Sequence, residues 1–372
     1  MTKKRIGIIG LAHWYWAYGC AYGIALNPAA ELVAIADEDE VQSTKMAGVY
    51  GARRVYTDYR KLLEDPAVDA VVITTTTRHH DEVALAAASA GKDILLGKPM
   101  SRTLAGADRV IGATQRAGVR LMVMASRPGR GDTVNKLIAD GAIGRPYAAD
   151  SSLWAVPPLR APGDNCPGWF VDPNEAAGGG FIDHAIYAAG RLRQYFASEV
   201  VNVYAEMGRY VHREWGVEDH GTAVLKFRNG GIGTITSTFT APDRTHSRVM
   251  VLGTEGEIES DGSRVTVWSK KDPYRNRCSL EILPPNPVYD RTFAEKPVPT
   301  PPFAAGYKTT MDEFIAFITQ GVEPSGTPED ARANLEVCLA AYESVRTRAV
   351  VRLPLVTDVD VSFILAQLSS AG

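Results

Sequence analysis

The first third of the chain is built from short apolar runs separated by longer stretches in which apolar and polar positions mix. Arg5–Gly10 and Glu31–Asp37 read as buried strands, since their aliphatic runs end sharply at glycine or aspartate. Trp16–Leu26 reads as a helix between them, giving strand, glycine turn, helix and strand at the length a parallel crossover requires. The alternation continues through a strand at Asp69–Ile73, an alanine-rich helix at His79–Ala90 stopped by Gly91, and a strand at Ile94–Leu96. A helix at Leu104–Ala117 closed by Gly118 and a strand at Arg120–Met124 follow. This predicts an α/β fold with a doubly wound parallel sheet over residues 1–125.

The pattern then changes. After a helix at about Asp132–Asp140 and the turn Gly141-Ala-Ile-Gly144, β-type segments follow at Tyr147–Trp154, Val200–Met207, Gly221–Arg228, Gly231–Phe239, Arg248–Gly253, Glu257–Ser260 and Arg264–Ser269. Asn229-Gly230-Gly231 is a hairpin signal between two of them. A second α+β domain over residues 126–372, with a large, mostly antiparallel open sheet, is the expectation. Proline-rich Tyr274–Pro302 reads as a surface connection, followed by helices at Gly306–Gln320 and Pro328–Arg348 and a last strand at Val350–Leu355.

Composition narrows the function classes. A net charge of -3 leaves no polybasic surface for nucleic acid or anionic lipid, so a small molecule is the expected partner. Cys20, Cys166, Cys278 and Cys338 stand far apart, without C-x-x-C or zinc spacing; a reducing cytoplasm and no metal site are expected. The basic start Met1–Arg5 is followed by apolar residues soon broken by Gly7, Gly10 and His13, so it does not read as a secretory signal. No run of about 18 apolar residues offers a membrane span.

Two stretches carry candidate chemistry. Gly97-Lys98-Pro99 ends a buried strand, which points a cation out of the carboxyl edge of a parallel sheet, where ligands bind. The first glycine turn, Gly7-Ile-Ile-Gly10-Leu-Ala12-His13-Trp14-Tyr15-Trp16, matches G-x-G-x-x-G only at Gly10. Ala12 is small enough for close approach of a pyrophosphate, whereas Tyr15 does not give the usual close helix packing. Asp37 at the end of the second strand can accept hydrogen bonds from ribose hydroxyls, and with Glu38 repels a 2'-phosphate, which favours NAD over NADP. The competing role for Asp37 is a helix N-cap.

Four stretches together resemble the Gfo/Idh/MocA family of NAD(P)-dependent sugar and polyol oxidoreductases: Val71-Val-Ile-Thr74-Thr75-Thr-Thr-Arg-His79-His80, Ala90-Gly91-Lys92-Asp-Ile-Leu-Leu-Gly97-Lys98-Pro99, Gly178-Gly-Gly-Phe-Ile-Asp183-His184-Ala-Ile-Tyr187, and Ala341-Tyr-Glu-Ser-Val-Arg346 ahead of Val351-Arg-Leu-Pro354-Leu. The resemblance spans nearly the whole chain. It implies an N-terminal Rossmann domain, a C-terminal α/β domain whose open sheet often joins subunits as homodimers or homotetramers, and Lys98 beside the nicotinamide and the reacting carbon. A partly dry lysine near the positive nicotinamide has its ammonium form disfavoured and can exchange a proton with a hydroxyl near neutral pH. The cofactor set expected on this basis is Gly10, Ala12, His13, Trp14, Tyr15, Asp37, Thr74, Thr75, His80 and Lys98.

The departures from the family pattern define the open questions. Its glutamate before the lysine is Gly97, and its catalytic histidine four residues after Asp183 is Tyr187, with an extra His184 beside the aspartate. On a helix Asp183 and Tyr187 share a face, while His184 is turned about 100° away. Three assignments of the acid/base follow: Tyr187 assisted by Lys98, Lys98 alone, or His184 from a distorted helix. Arg127 and Arg130 are placed to meet substrate oxygens or to be surface arginines, and Trp169 to lie on a sugar ring or to pack its loop. His13 either meets the cofactor or caps its helix; His80 lines the cofactor or substrate edge and His79 is solvated. The expected activity is NAD-dependent oxidoreduction of a sugar or polyol hydroxyl; redox-neutral chemistry through transient oxidation, and a non-catalytic dinucleotide- and sugar-binding regulator, are the alternatives.

Overall fold

The computed structural model of the chain describes residues 3–128, 132–161, 164, 166–281 and 304–368. Its contacts divide into two units. The first comprises the described residues of Met1–Ala125, Leu159–Trp169 and Pro287–Arg332; the second comprises those of Ser126–Pro158, Phe170–Asn286 and Ala333–Gly372. Arg130 and residues 282–303 lie outside the described residues. No helix among the described residues is long and apolar enough to cross a membrane.

In the first unit, strands β1 (Lys4–Ile9), β2 (Ala30–Ala36), β3 (Arg54–Tyr56), β4 (Ala70–Ile73), β5 (Asp93–Leu96) and β6 (Leu121–Val123) form one parallel sheet in the order β3-β2-β1-β4-β5-β6. Helices α1 (Trp14–Leu26), α2 (Glu40–Tyr50), α3 (Tyr59–Glu64), α4 (His80–Ser89) and α5 (Leu104–Ala117) make the crossovers. The strand order reverses between β1 and β4, which creates a crevice at the carboxyl ends of the strands. Local signals explain the helix limits. Thr103 caps α5 by accepting from Gly106 N, and Gly118 ends it at φ 66°; Asp39 caps α2, which Gly51 ends at φ 78°. The α2–β3–α3 segment had no clear signal in the sequence, because β3 has only three residues and α2 mixes apolar and polar residues with little facial order.

The strand residues Ile6, Ile8, Ile35, Val72 and Leu95 are fully buried, each worth roughly 1.5–3 kcal/mol relative to exposure. The helix at Ala304–Gln320 joins this core through Tyr307, Met311, Phe314, Ile315 and Ile318. It packs on α1 at two glycines: a Cβ at Gly19 would fall 2.2 Å from the Tyr307 ring, and one at Gly23 2.7 Å from Met311. A reading in chain order does not show that this late helix belongs with the first sheet.

The second unit holds α6 (Thr133–Ala139), β7 (Pro146–Trp154), α7 (Ile182–Phe196), β8 (Val200–Gly208), β9 (His220–Phe227), β10 (Ile232–Thr238), β11 (His246–Gly253), β12 (Gly256–Ser260), β13 (Arg264–Ser269) and β14 (Asn276–Glu281). After α8 (Ala304–Gln320) come α9 (Pro328–Thr347), β15 (Val351–Arg352) and α10 (Val361–Leu368). The nine-stranded sheet runs β14-β13-β12-β11-β7-β10-β9-β8-β15. Only β7 and β10 pair in parallel; the other described neighbours are antiparallel. One face, with Leu225, Ile235, Val203 and Val251, is buried, and α7 packs over β7 and β10. Strand β14 corrects the expected surface connection: residues 276–281 pair with β13, and the prolines that suggested a loop come after them.

Candidate active site

In the first unit the sheet edge assembles the glycine turn. Gly10 has φ 84°, and a Cβ there would fall 2.5 Å from Thr75 Cγ2. Thr74 braces the same turn: its hydroxyl donates to Gly10 O at 2.6 Å, and its carbonyl accepts from His13 N at 3.0 Å. The first turn of α1 carries no acidic side chain, so the helix dipole there suits an anion. Asp37 follows β2 and accepts from Leu11 N at 2.6 Å and Asp39 N at 2.9 Å. Burial raises its pKa, against the pull of those two N–H groups. The N-cap of α2 is Asp39, which accepts from Val41 N and Gln42 N, so the capping role considered for Asp37 falls to its neighbour. A close-approach glycine, a small Ala12, an acid-free helix start and a carboxylate after β2 fit a dinucleotide.

The aromatics of this turn are mostly internal. His13 is buried at the N-cap position without a side-chain capping bond, and its ring lies 4.4 Å from that of Tyr15 and 5.8 Å from that of Trp169. Its capping alternative is therefore removed. Trp14 is buried and donates its indole N–H to Leu159 O at 2.7 Å, while Tyr15 is half-buried. Trp169 donates to Ala12 O at 2.9 Å. Trp169 thus packs on the glycine turn, where its indole holds the Ala12 carbonyl.

Lys98 follows β5 and is buried, 4% exposed, next to a cis Lys98–Pro99 bond. Behind it lies His80, the first residue of α4, also buried; its Nδ1 is 2.7 Å from Pro99 O, so this nitrogen carries the proton. Burial pushes the His80 pKa down to about 4, the carbonyls of Pro99 and Thr75 oppose this, and the Lys98 charge adds to the lowering. His80 is accordingly neutral at pH 7. Gly97 makes room for it: a Cβ at 97 would lie 3.1 Å from His80 Cε1. The family's glutamate position is thus packed against an imidazole. His79 is exposed.

In the second unit α7 starts at Ile182 and carries Asp183, His184 and Tyr187. His184 Nε2 lies 3.3 Å from Asp183 Oδ2, with the two side chains 18% and 13% exposed. This corrects the expectation that His184 is turned away from Asp183. Successive residues do leave a helix about 100° apart, but in the first turn their side chains are free to fold toward one another. The His184 ring lies 6.2 Å from that of Tyr187 and meets the edge of Phe239 at 5.6 Å. Phe239 in turn contacts Trp215, which stacks on His212 at 3.9 Å. Arg127 is half-buried and follows Ser126, whose carbonyl accepts from Asn334 Nδ2 at 2.6 Å.

Sequence reasoning passed over Phe239, Trp215, Glu218 and Tyr342. The aromatics had no periodic partner. Tyr342 lies inside Ala341-Tyr-Glu-Ser, one of the stretches that carry the family resemblance, and that could have marked it. Among the described residues no group of three or more His, Cys, Asp or Glu is arranged to hold a metal ion.

Comparison with known proteins bears on the whole chain. Residues 4–125 match the model of an oxidoreductase family with an NAD-binding Rossmann fold, and residues 132–259 that of the GFO/IDH/MocA C-terminal domain. Myo-inositol 2-dehydrogenase of Thermotoga maritima is 29% identical over 358 residues, 94% of this chain and 98% of that protein. An uncharacterised oxidoreductase of Bacillus subtilis is 30% identical over 274 residues, 72% of this chain and 76% of its own length. The crystal structure of a probable dehydrogenase from Thermotoga maritima superposes with a TM-score of 0.76 at 26% identity, covering 94% of this chain and 98% of that one.

Proposed function

The chain belongs to the Gfo/Idh/MocA family of NAD-binding oxidoreductases, and on that premise we propose that it oxidises a secondary hydroxyl of a cyclic polyol or sugar, with Lys98 as the group that takes the hydroxyl proton. The observation that carries this reading is the buried Lys98 at the carboxyl edge of β5, on the same edge as the glycine turn after β1 and Asp37 after β2. A buried lysine amine at this sheet edge is a group that can exchange a proton with a bound hydroxyl. NAD, when bound, accepts the hydride from the carbinol carbon. Gly10, Ala12, Tyr15, Thr74, Thr75 and Asp37 hold it, Trp169 and His13 support the turn, and Asp37 with the exposed Glu38 selects NAD over NADP.

From the second unit, Asp183, His184, Tyr187 and Arg127 serve the substrate. The 3.3 Å approach of Asp183 to His184 favours an imidazole oriented by a carboxylate over Tyr187 as the proton-transfer group of the second unit. Tyr187 then hydrogen-bonds a further hydroxyl. The name of the inositol dehydrogenase relative supports cyclic polyols as the first substrates to test. The open face of the nine-stranded sheet, with exposed Tyr204, Val224 and Ile232, is the surface through which a homodimer or homotetramer forms, and the separated cysteines support a reducing cytoplasm as its location.

The test is NADH formation with a panel of inositols and aldopyranoses. Lys98→Met is expected to lower kcat/KM about 10²–10⁴-fold while NAD binding, followed by fluorescence, persists. No turnover on any polyol or sugar, or full turnover in Lys98→Met, overturns the reading. NAD that stays bound with no net NADH would redirect it to redox-neutral chemistry.

A further inference from the structure

Three successive peptides ahead of α7 are held by one residue. Glu218 is fully buried just before β9, and its Oε1 accepts from Gly179 N at 2.8 Å, Phe181 N at 3.1 Å and Tyr342 Oη of α9 at 2.7 Å. Its backbone carbonyl accepts from Gly180 N at 2.9 Å. The next residue, Asp219, is also fully buried, and its carboxylate accepts from Tyr210 N, Val211 N and His212 N.

This close approach accounts for the triple glycine. A Cβ at 178 would fall 2.0 Å from the Tyr342 hydroxyl, at 179 2.0 Å from Glu218 O, and at 180 2.6 Å from Asp219 O. The clamped residues carry the first turn of α7: Gly179 O accepts from Asp183 N at 3.1 Å, and Phe181 O accepts from His184 N at 3.3 Å and Ala185 N at 2.8 Å. Whatever fixes residues 179–181 therefore fixes the backbone from which Asp183 and His184 project.

We propose that Glu218 is a positioning residue: its carboxylate, by gathering Gly179 N, Phe181 N and Tyr342 Oη on one oxygen, sets the Asp183–His184 pair in its working geometry. The proposal rests on the reading that this pair serves the oxidoreduction. A carboxyl group suits the task because one of its oxygens can accept from three converging donors at once. An amide at 218 keeps one acceptor oxygen but puts an NH₂ where Oε2 lies, and Oε2 has no hydrogen-bond partner among the described residues.

The test uses full-length protein labelled with ¹³C-histidine. In Glu218→Gln the NMR titration midpoint of His184, assigned with His184→Asn, is expected to move by at least about half a pH unit, since a displaced carboxylate changes the field on the ring. The same variant is expected to lose about 10–100-fold in kcat with KM for NAD within about twofold, as misplacement of catalytic groups rather than loss of cofactor binding predicts. Tyr342→Phe removes one of the three donors and gives a smaller shift in the same direction, which decides the matter if Glu218→Gln does not fold. An unmoved His184 titration in a folded variant overturns the proposal, and so does a moved titration with unchanged kcat. If wild type turns over no polyol or sugar, the functional reading fails, while the His184 titration still reports whether Glu218 sets the pair.

Discussion

Each unit supports its candidate catalytic residues with a buried ionisable group and glycine, but the two supports are built differently. Behind Lys98 stands His80, a base held neutral by burial, whose ring rests 3.1 Å from where a Cβ of Gly97 would be. Behind Asp183 and His184 stands Glu218, an acid pushed up to about 7 by burial, with glycine Cβ positions only 2.0–2.6 Å from the Tyr342 hydroxyl and the Glu218 and Asp219 carbonyls. At the first support the added Cβ would meet the ring and the Ile73 carbonyl, each at 3.1 Å, a distance relieved by a shift of a few tenths of an ångström. The second is mostly backbone against backbone and has nowhere to go. A neutral imidazole also satisfies a carbonyl through one tautomer, whereas a buried carboxylate must gather donors for its charge.

The sharpest way to break this contrast is with single methyl groups. Gly179→Ala is expected to destabilise the second unit by about 3 kcal/mol or more, because the Glu218 carbonyl it meets is tied to Gly180 N and cannot retreat. Gly97→Ala meets His80 at a distance that asks for a shift of a few tenths of an ångström, and a cost of about 1 kcal/mol is expected. Calorimetric unfolding of the two variants measures the difference. Equal losses would show that the two supports are alike in rigidity.

Opposite pKa shifts give a second test of comparable but pH-dependent size. The His80 pKa is depressed from 6.5 to about 4, so between these values the unfolded chain binds the extra proton and stability is lost as pH falls. The Glu218 pKa is raised from 4.5 to about 7, so in that window the native state holds the extra proton and stability is lost as pH rises. The two slopes oppose each other in wild type, each at about 1.4 kcal/mol per pH unit. His80→Gln should therefore gain stability relative to wild type as pH falls from 6.5 toward 4. Glu218→Gln should gain it as pH rises from 4.5 toward 7. Parallel melting curves of wild type and variants across pH 4–7 would remove both groups from the account.

What the sequence made legible was what lies along the chain. Apolar runs ending at Gly10, Asp37 and Gly97 located the sheet edge and Lys98, and the triple glycine located the start of α7. What depends on contacts between distant residues was not legible. Nothing near Gly97 says that His80 fills the space beside it, and nothing near Gly179 says that Glu218 will press on it. The direction of His184 was misjudged because helical periodicity fixes where a Cβ leaves the backbone and not how a side chain folds back in the first turn. Trp169 stands in the loop ahead of α7, yet its indole serves the glycine turn of the first unit.

Trp169 gives the smallest effect, and it separates cofactor support from substrate contact. Its indole N–H donates to Ala12 O at 2.9 Å, and its ring lies beside His13. Trp169→Phe keeps an aromatic ring against His13 but removes the donor, leaving the Ala12 carbonyl short of one hydrogen bond worth about 1 kcal/mol. If the bond holds the phosphate turn in shape, the loss falls on cofactor binding: KM for NAD rises about fivefold, with kcat and KM for the polyol nearly unchanged. If the ring instead stacked on a sugar, the conservative change to phenylalanine would leave NAD binding alone, and Trp169→Ala would raise KM for the polyol. A rise confined to the polyol KM would return Trp169 to the substrate and leave the shape of the glycine turn to its bonds with Thr74 and Asp37.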